Sequence, residues 1–146
     1  MPTYTVYAPA GRLSVVQKAA MAAGITRRHN EITGAATFFA QVIVQEVAAG
    51  NWFLGGRALA ADQVFLNGQI RAGRSAIDRA RLIAALRDAV VEASGAAASS
   101  VWVYLTDLPA RDMVEYGHVL PEPGGEQAWI EGLPEGDRAR MVGMSS

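Results

Sequence analysis

Six residues of this 146-residue sequence could do chemistry: Pro2, His29, Arg71, Arg74, Tyr104 and Glu115. If the initiator Met1 is removed, the ring nitrogen of Pro2 becomes a free secondary amine, able to carry or take a proton. An ordinary α-amino group titrates at about 7.7–8.0, so such an amine can serve near neutral pH as acid or base. Arg71 and Arg74 flank the expected start of a helix, where exposed positive charge is unfavourable by roughly 0.3–1 kcal/mol. Two guanidiniums there suit an anionic ligand, because the helix start attracts the same carboxylate. Each residue also has a plain structural reading. Met-Pro is a common start, and the arginines fit a solvated loop. His29 falls near a helix C-terminus, where a cation is favoured. Glu115 can simply be solvated, and Tyr104 packs in an apolar strand where its hydroxyl needs a partner if buried. Taken singly, none is specific.

The rest of the composition narrows the chemistry. Hydrophobic residues make up 51% and charged residues 18%, a globular balance with enough length for one domain and a real core. A net charge of -1 gives no reason to expect a nucleic acid or an anionic membrane as partner. Lys18 is the only lysine, so guanidinium is the group available for gripping carboxylates. There are no cysteines, which removes disulfides, thiolate metal sites and a cysteine nucleophile. His29 and His118 cannot make a three-histidine site, and no HExxH, calcium loop or phosphate-binding glycine loop is present. No metal or cofactor is expected. No basic-then-apolar leader is visible, and no apolar run approaches the roughly 20 residues of a membrane span. The expected location is cytoplasmic, with no membrane partner.

The elements that must position these residues come as a repeated unit. Thr3 to Tyr7 alternates as a strand, and Ser14-Val15-Val16-Gln17 reads as a capping box. A helix should follow to about His29, with Val15, Ala19, Ala22 and Ala23 inward. Phe38 to Glu46 reads as a second, substantially buried strand. Ala48 to Asn51 leads into a hairpin ending at Gly55-Gly56. Gln63 to Ile70 is again a strand, and Ser75 with Asp78 is a second N-cap pair. A helix over Ala76 to Ala93 turns Leu82, Ile83, Leu86, Ala89, Val90 and Ala93 to one side. Val101 to Thr106 closes the second unit. Asp107 to Gly117 should be a turn or short helix, and the Pro/Gly-rich remainder has no assigned order. Ala10-Gly11-Arg12-Leu13-Ser14 and Ala72-Gly73-Arg74-Ser75 occupy equivalent places. The fold class is therefore α/β (α+β), two fused β-α-β repeats in a four-stranded mixed sheet with two helices on one face. Repeat one spans about 2–47, the hairpin 48–61, repeat two 62–107 and a C-terminal segment 108–146, all in a single domain. The strands read as apolar on both faces, which implies burial of the uncovered face by self-association.

Together the six residues, with Trp102-Val103-Tyr104 and Met113-Val114-Glu115-Tyr116-Gly117, resemble the cis-3-chloroacrylic acid dehalogenase family of the tautomerase superfamily. Ala40-Gln41-Val42, Phe53-Leu54-Gly55-Gly56, Gly73-Arg74-Ser75 and Leu120-Pro121-Glu122-Pro123-Gly124 extend the likeness over nearly the whole chain. The resemblance implies a homotrimer with an N-terminal catalytic proline. It also implies that His29, Arg71 and Arg74 bind a substrate carboxylate. Glu115, assisted by Tyr104, would activate water for attack at C-3 of a cis-3-haloacrylate, and protonated Pro2 would deliver a proton to C-2. Malonate semialdehyde and halide are the products. Ala35 and Phe39 depart from the family pattern, which has threonine and leucine there, in a loop near the substrate.

Two other readings stay open at the level of sequence. A neutral Pro2 would be a general base for keto-enol tautomerisation of acids such as phenylenolpyruvate. A retained Met1 would make that nitrogen an amide and leave a non-catalytic trimeric carboxylate-binding protein. Glu115 and Tyr104 favour the acid role, since a tautomerase needs no water-activating pair.

Overall fold

Secondary structure follows the changes of hydrophobic period along the chain. In the computed structural model, which describes residues 2–144, β1 (Thr3–Pro9) leads into α1 (Val15–Thr33) and β2 (Gln41–Val47). A hairpin of β3 (Phe53–Leu54) and β4 (Arg57–Ala58) turns at Gly55 and Gly56, with φ of 61° and 77°. Two consecutive left-handed residues are what this tight turn demands, and glycine adopts them without strain. β5 (Val64–Arg71), α2 (Ala76–Ser94) and β6 (Val101–Leu108) repeat the first unit. A second hairpin, β7 (Val114–Glu115) and β8 (His118–Val119), precedes two short helices, α3 (Glu126–Gly132) and α4 (Glu135–Gly143). Met1, on whose removal the amine chemistry of Pro2 depends, lies outside the described residues, as do residues 145 and 146. Among the described residues no helix is long and apolar enough to cross a membrane.

The main sheet runs β2-β1-β5-β6. β1 is parallel to β2 and β5 to β6, while the inner strands β1 and β5 are antiparallel, Thr3 facing Gln69 and Tyr7 facing Phe65. This is the mixed sheet expected of two fused repeats. Ser14 Oγ accepts from the Gln17 N–H at 3.1 Å while Gln17 Oε1 accepts from the Ser14 N–H at 3.0 Å, completing the capping box. Ser75 caps α2 in the same way through the Asp78 N–H, at 3.0 Å. Gly34 and Gly95 end the two helices in the left-handed region. Tyr4, Val6, Leu66 and Ile70 point from the inner strands at the helices, where they meet Met21, Ile25, Leu82 and Leu86.

The structure corrects several boundaries and faces. α1 continues past His29 to Thr33, and its inward residues are Met21, Gly24, Ile25 and His29; Val15 is 82% exposed. A stripe of alanines carries little transfer free energy, so the larger Met21 and Ile25 decide which face turns inward. Thr37–Phe39 forms a 3-10 turn and the strand begins only at Gln41. Phe39 leaves the main core for a smaller cluster with Ala110 and Leu120. β2 is an edge strand with alternate residues exposed, not a buried one. The uncovered sheet face is mixed where apolar was expected. Thr5, Gln41 and Asn67 share it with a strip of rings in which Tyr7 stacks on Phe65 at 5.7 Å and Phe65 meets Tyr104 edge-on at 5.0 Å.

Candidate active site

The head of β1 and the tail of β5 meet at one end of the sheet because these strands are antiparallel. Extending their register sets Pro2 opposite Ile70, one residue before Arg71, at the roughly 4.8 Å that separates neighbouring strands. Pro2 is buried, and its carbonyl accepts from the Gln41 N–H at 2.9 Å. Alternation puts Tyr4 on the same strand face as Pro2. Tyr4 Oη lies 2.7 Å from His29 Nδ1, both groups buried. Burial first, and the charge of Arg74 second, lower the His29 pKa to about 3. The imidazole is therefore neutral, which corrects the expectation of a helix-end cation. Burial likewise raises the Tyr4 hydroxyl against the opposing pull of Arg74, so Tyr4 stays protonated and donates to Nδ1. The ring proton then sits on Nε2, which is buried and makes no protein hydrogen bond.

Arg71 closes β5 and is 2% exposed. Its Nη1 donates to the Pro121 carbonyl at 2.7 Å, and its Nη2 forms a short ion pair with Glu126 Oε1. Its Nε is buried without a partner. Arg74, in the turn before α2, donates from Nη1 to the Thr33 carbonyl at 3.0 Å. Burial and then the nearby Arg71 charge lower its pKa, and the guanidinium remains charged. Arg74 borders a cavity of about 490 Å³ that Ala35, Phe39, Pro123 and Glu126 also line. Thus the two residues that depart from the family pattern, Ala35 and Phe39, face the arginine side. Glu115 borders a different cavity, about 560 Å³, with Thr3, Gln41, Leu108 and Tyr116. Phe39 lines both and stands between them.

Tyr104 is not brought to this end. It pairs with Asn67 in mid-β6 and is 56% exposed on the uncovered face. Asp107, three residues on, is the β6 position beside Ile70. At about 3.3 Å per residue and two strand spacings, Tyr104 lies on the order of 14 Å from Pro2 within one chain. Two residues at the site were not singled out from sequence. Tyr4 was accessible to reasoning, since a tyrosine on the inward face of a strand needs a polar partner. Glu126 offered no local signal, because its partner lies 55 positions away and the segment between them had no assigned structure. Among the described residues no group of three His, Asp or Glu side chains could hold a metal ion.

Residues 1–132 match the family model described as "Putative oxalocrotonate tautomerase enzyme". None of the curated proteins matches the sequence. Among solved structures, N1, a member of the cis-3-chloroacrylic acid dehalogenase family, is 33% identical over 97% of this chain and 99% of its own, with a TM-score of 0.91. A fused 4-OT solved as a symmetric trimer is 29% identical over 76% of this chain and 89% of its own, TM-score 0.70. A protein inactivated by 2-oxo-3-pentynoate is 25% identical over 81% and 94%, TM-score 0.74. A shared mixed sheet, a family match over most of the length and a full-length likeness to N1 agree: the chain belongs to the cis-3-chloroacrylic acid dehalogenase family of the tautomerase superfamily.

Proposed function

We propose that this enzyme adds water to a short 3-substituted unsaturated carboxylate, with cis-3-haloacrylate as the type substrate. The observation that carries the reading is the gathering of buried His29 and Arg71 and half-buried Arg74 beside Pro2, with orphaned donors on two of the three. His29, Arg71 and Arg74 draw negative charge toward the substrate carboxylate, which makes C-3 electrophilic. Glu115 takes a proton from water as the oxygen bonds to C-3, and Pro2, as the ammonium form, gives a proton to C-2. The resulting C-3 halohydrin loses its hydroxyl proton and halide together, leaving malonate semialdehyde. Tyr104 assists Glu115 from a neighbouring protomer of a homotrimer, across the uncovered sheet face. The trimeric fused 4-OT relative supports that assembly.

A second reading has its own support. Arg71 and Arg74 lower the pKa of a nearby amine, and a neutral Pro2 would be a base for keto-enol tautomerisation of substrates such as phenylenolpyruvate. The distance of Tyr104 from Pro2 within one chain favours this simpler chemistry. Intact mass without Met1 is the precondition of both. With cis-3-chloroacrylate, Pro2→Ala and Arg74→Ala should each cut formation of malonate semialdehyde by about 10²-fold or more. Full activity in Pro2→Ala ends the proposal. Rapid keto-enol exchange of phenylpyruvate without turnover of chloroacrylate selects the tautomerase.

A further inference from the structure

We propose that Glu126 is a specificity-determining residue: it occupies Arg71, leaves Arg74 as the guanidinium without a carboxylate partner, and so selects monocarboxylates over dicarboxylates. The proposal rests on the reading of this pocket as a carboxylate site. Arg71 spends one Nη on the Pro121 carbonyl and the other on Glu126 Oε1. Glu126 is held from its other side, where Oε2 accepts from the Gly124 N–H at 2.8 Å. Pro123 lies so close over Gly73 that a Cβ there would sit 2.7 Å from its ring. Three contacts therefore fasten residues 121–126 to residues 71–74, and Glu126 is a built part of the wall rather than a passing surface group. It borders the same cavity as Arg74.

Charge bookkeeping gives the selectivity. Burial, the largest single influence, pushes the Glu126 carboxyl up, but the Arg71 hydrogen bond, the backbone N–H groups and the Arg71 charge together outweigh it, and the net pKa is lowered. The group is anionic at neutral pH. Arg74 donates only to a carbonyl, and among the described residues it makes no carboxylate ion pair. Within the arginine pair itself, setting apart the Pro2 ammonium and the weaker-acting Asp78, two guanidiniums and one carboxylate leave a single positive charge. One ligand carboxylate neutralises it, while a second would stand near Glu126 uncompensated. A repulsive element of this kind is the usual means of rejecting a near-identical ligand.

Calorimetric titration with acrylate and with maleate, at one ionic strength, tests the idea on the parent and on Glu126→Gln. Removing the charge should raise maleate affinity by about tenfold, with a clearly smaller change for acrylate, so the maleate-to-acrylate ratio shifts. A merely structural role would weaken both acids alike. An unchanged ratio with acrylate still bound overturns the role of Glu126 alone. If neither acid binds parent or variant, the carboxylate reading falls and this proposal with it. Should Glu126→Gln not fold, Glu126→Asp keeps the charge but withdraws it from Arg71 by one methylene. Freeing Arg71 in this way should raise the maleate-to-acrylate ratio, and a ratio at or below the parent value overturns the selection.

Discussion

A histidine that is 3% exposed and bonded to a tyrosine through one nitrogen cannot accept a second proton without placing an unsolvated charge in the interior. The His29 pKa falls from an unfolded value near 6.5 to about 3 in the fold. For a base, a lowered folded value means that the unfolded chain binds more protons between these limits. Stability is therefore full above pH 6.5 and is lost as pH falls, by up to about 1.4 kcal/mol per pH unit. Urea unfolding between pH 4.5 and 7.5 checks this in a window above the ordinary carboxylate range. The slope should vanish in His29→Gln; a slope that persists assigns the loss to other groups. Gly68 governs the same pair from below. A Cβ there would lie 2.7 Å from the Tyr4 ring and 2.8 Å from Leu105. Gly68→Ala should thus cost about 1–3 kcal/mol by overpacking, and by tilting Tyr4 it should raise the His29 pKa, which a proton NMR titration reads directly.

At the scale of elements, what sequence revealed and what it hid divide along chain separation. Ser14 with Gln17 and Ser75 with Asp78 act within one helical turn of themselves, so the helix starts were legible and so was the fused repeat. Position in the sheet was not, because the exposure of β2 depends on which strands lie outside it. Phe39 was read as strand for the same reason: its partners, Ala110 and Leu120, are far off in sequence. Of the candidate site, Pro2, His29, Arg71 and Arg74 could be singled out through a family likeness, whereas the grip of Glu126 on Arg71 arises only when the C-terminal segment docks. That segment also holds itself together and packs on the body through the Phe39 cluster. Trp129 donates from Nε1 to the Val119 carbonyl at 2.9 Å and packs on Phe39, and His118 Nε2 meets Asp137 at 2.8 Å. Trp129→Ala should leave the sheet amides protected while speeding hydrogen exchange across residues 114–132, since local openings can fall well below the global free energy. Uniformly faster exchange in β1 and β5 would instead make Trp129 part of the global fold.

For the whole molecule, the internal repeat poses the question of why a nearly two-fold chain should carry one site and not two. Ser14 and Ser75, like Gly34 and Gly95, are 61 positions apart. By that offset Gln63 answers to Pro2 and Val90 to His29. Gln63 is inside the chain, so its nitrogen is a peptide amide and has no proton chemistry to offer. Arg12, in the motif equivalent to that of Arg74, is held bidentate by Asp62 at 2.7 and 2.9 Å. The far end of the sheet keeps the architecture and has lost the amine, the imidazole and the uncommitted guanidinium. A homotrimer would then hold three sites. An ynone acid such as 2-oxo-3-pentynoate counts them. A neutral secondary amine adds to the alkyne carbon β to the ketone, forming one N–C bond while a proton passes to the α carbon. At a pH high enough to free the Pro2 amine, mass spectrometry should find one adduct per chain, confined to the N-terminal peptide. An adduct that maps to residues 62–107 would mean that the second repeat has kept a nucleophile of its own.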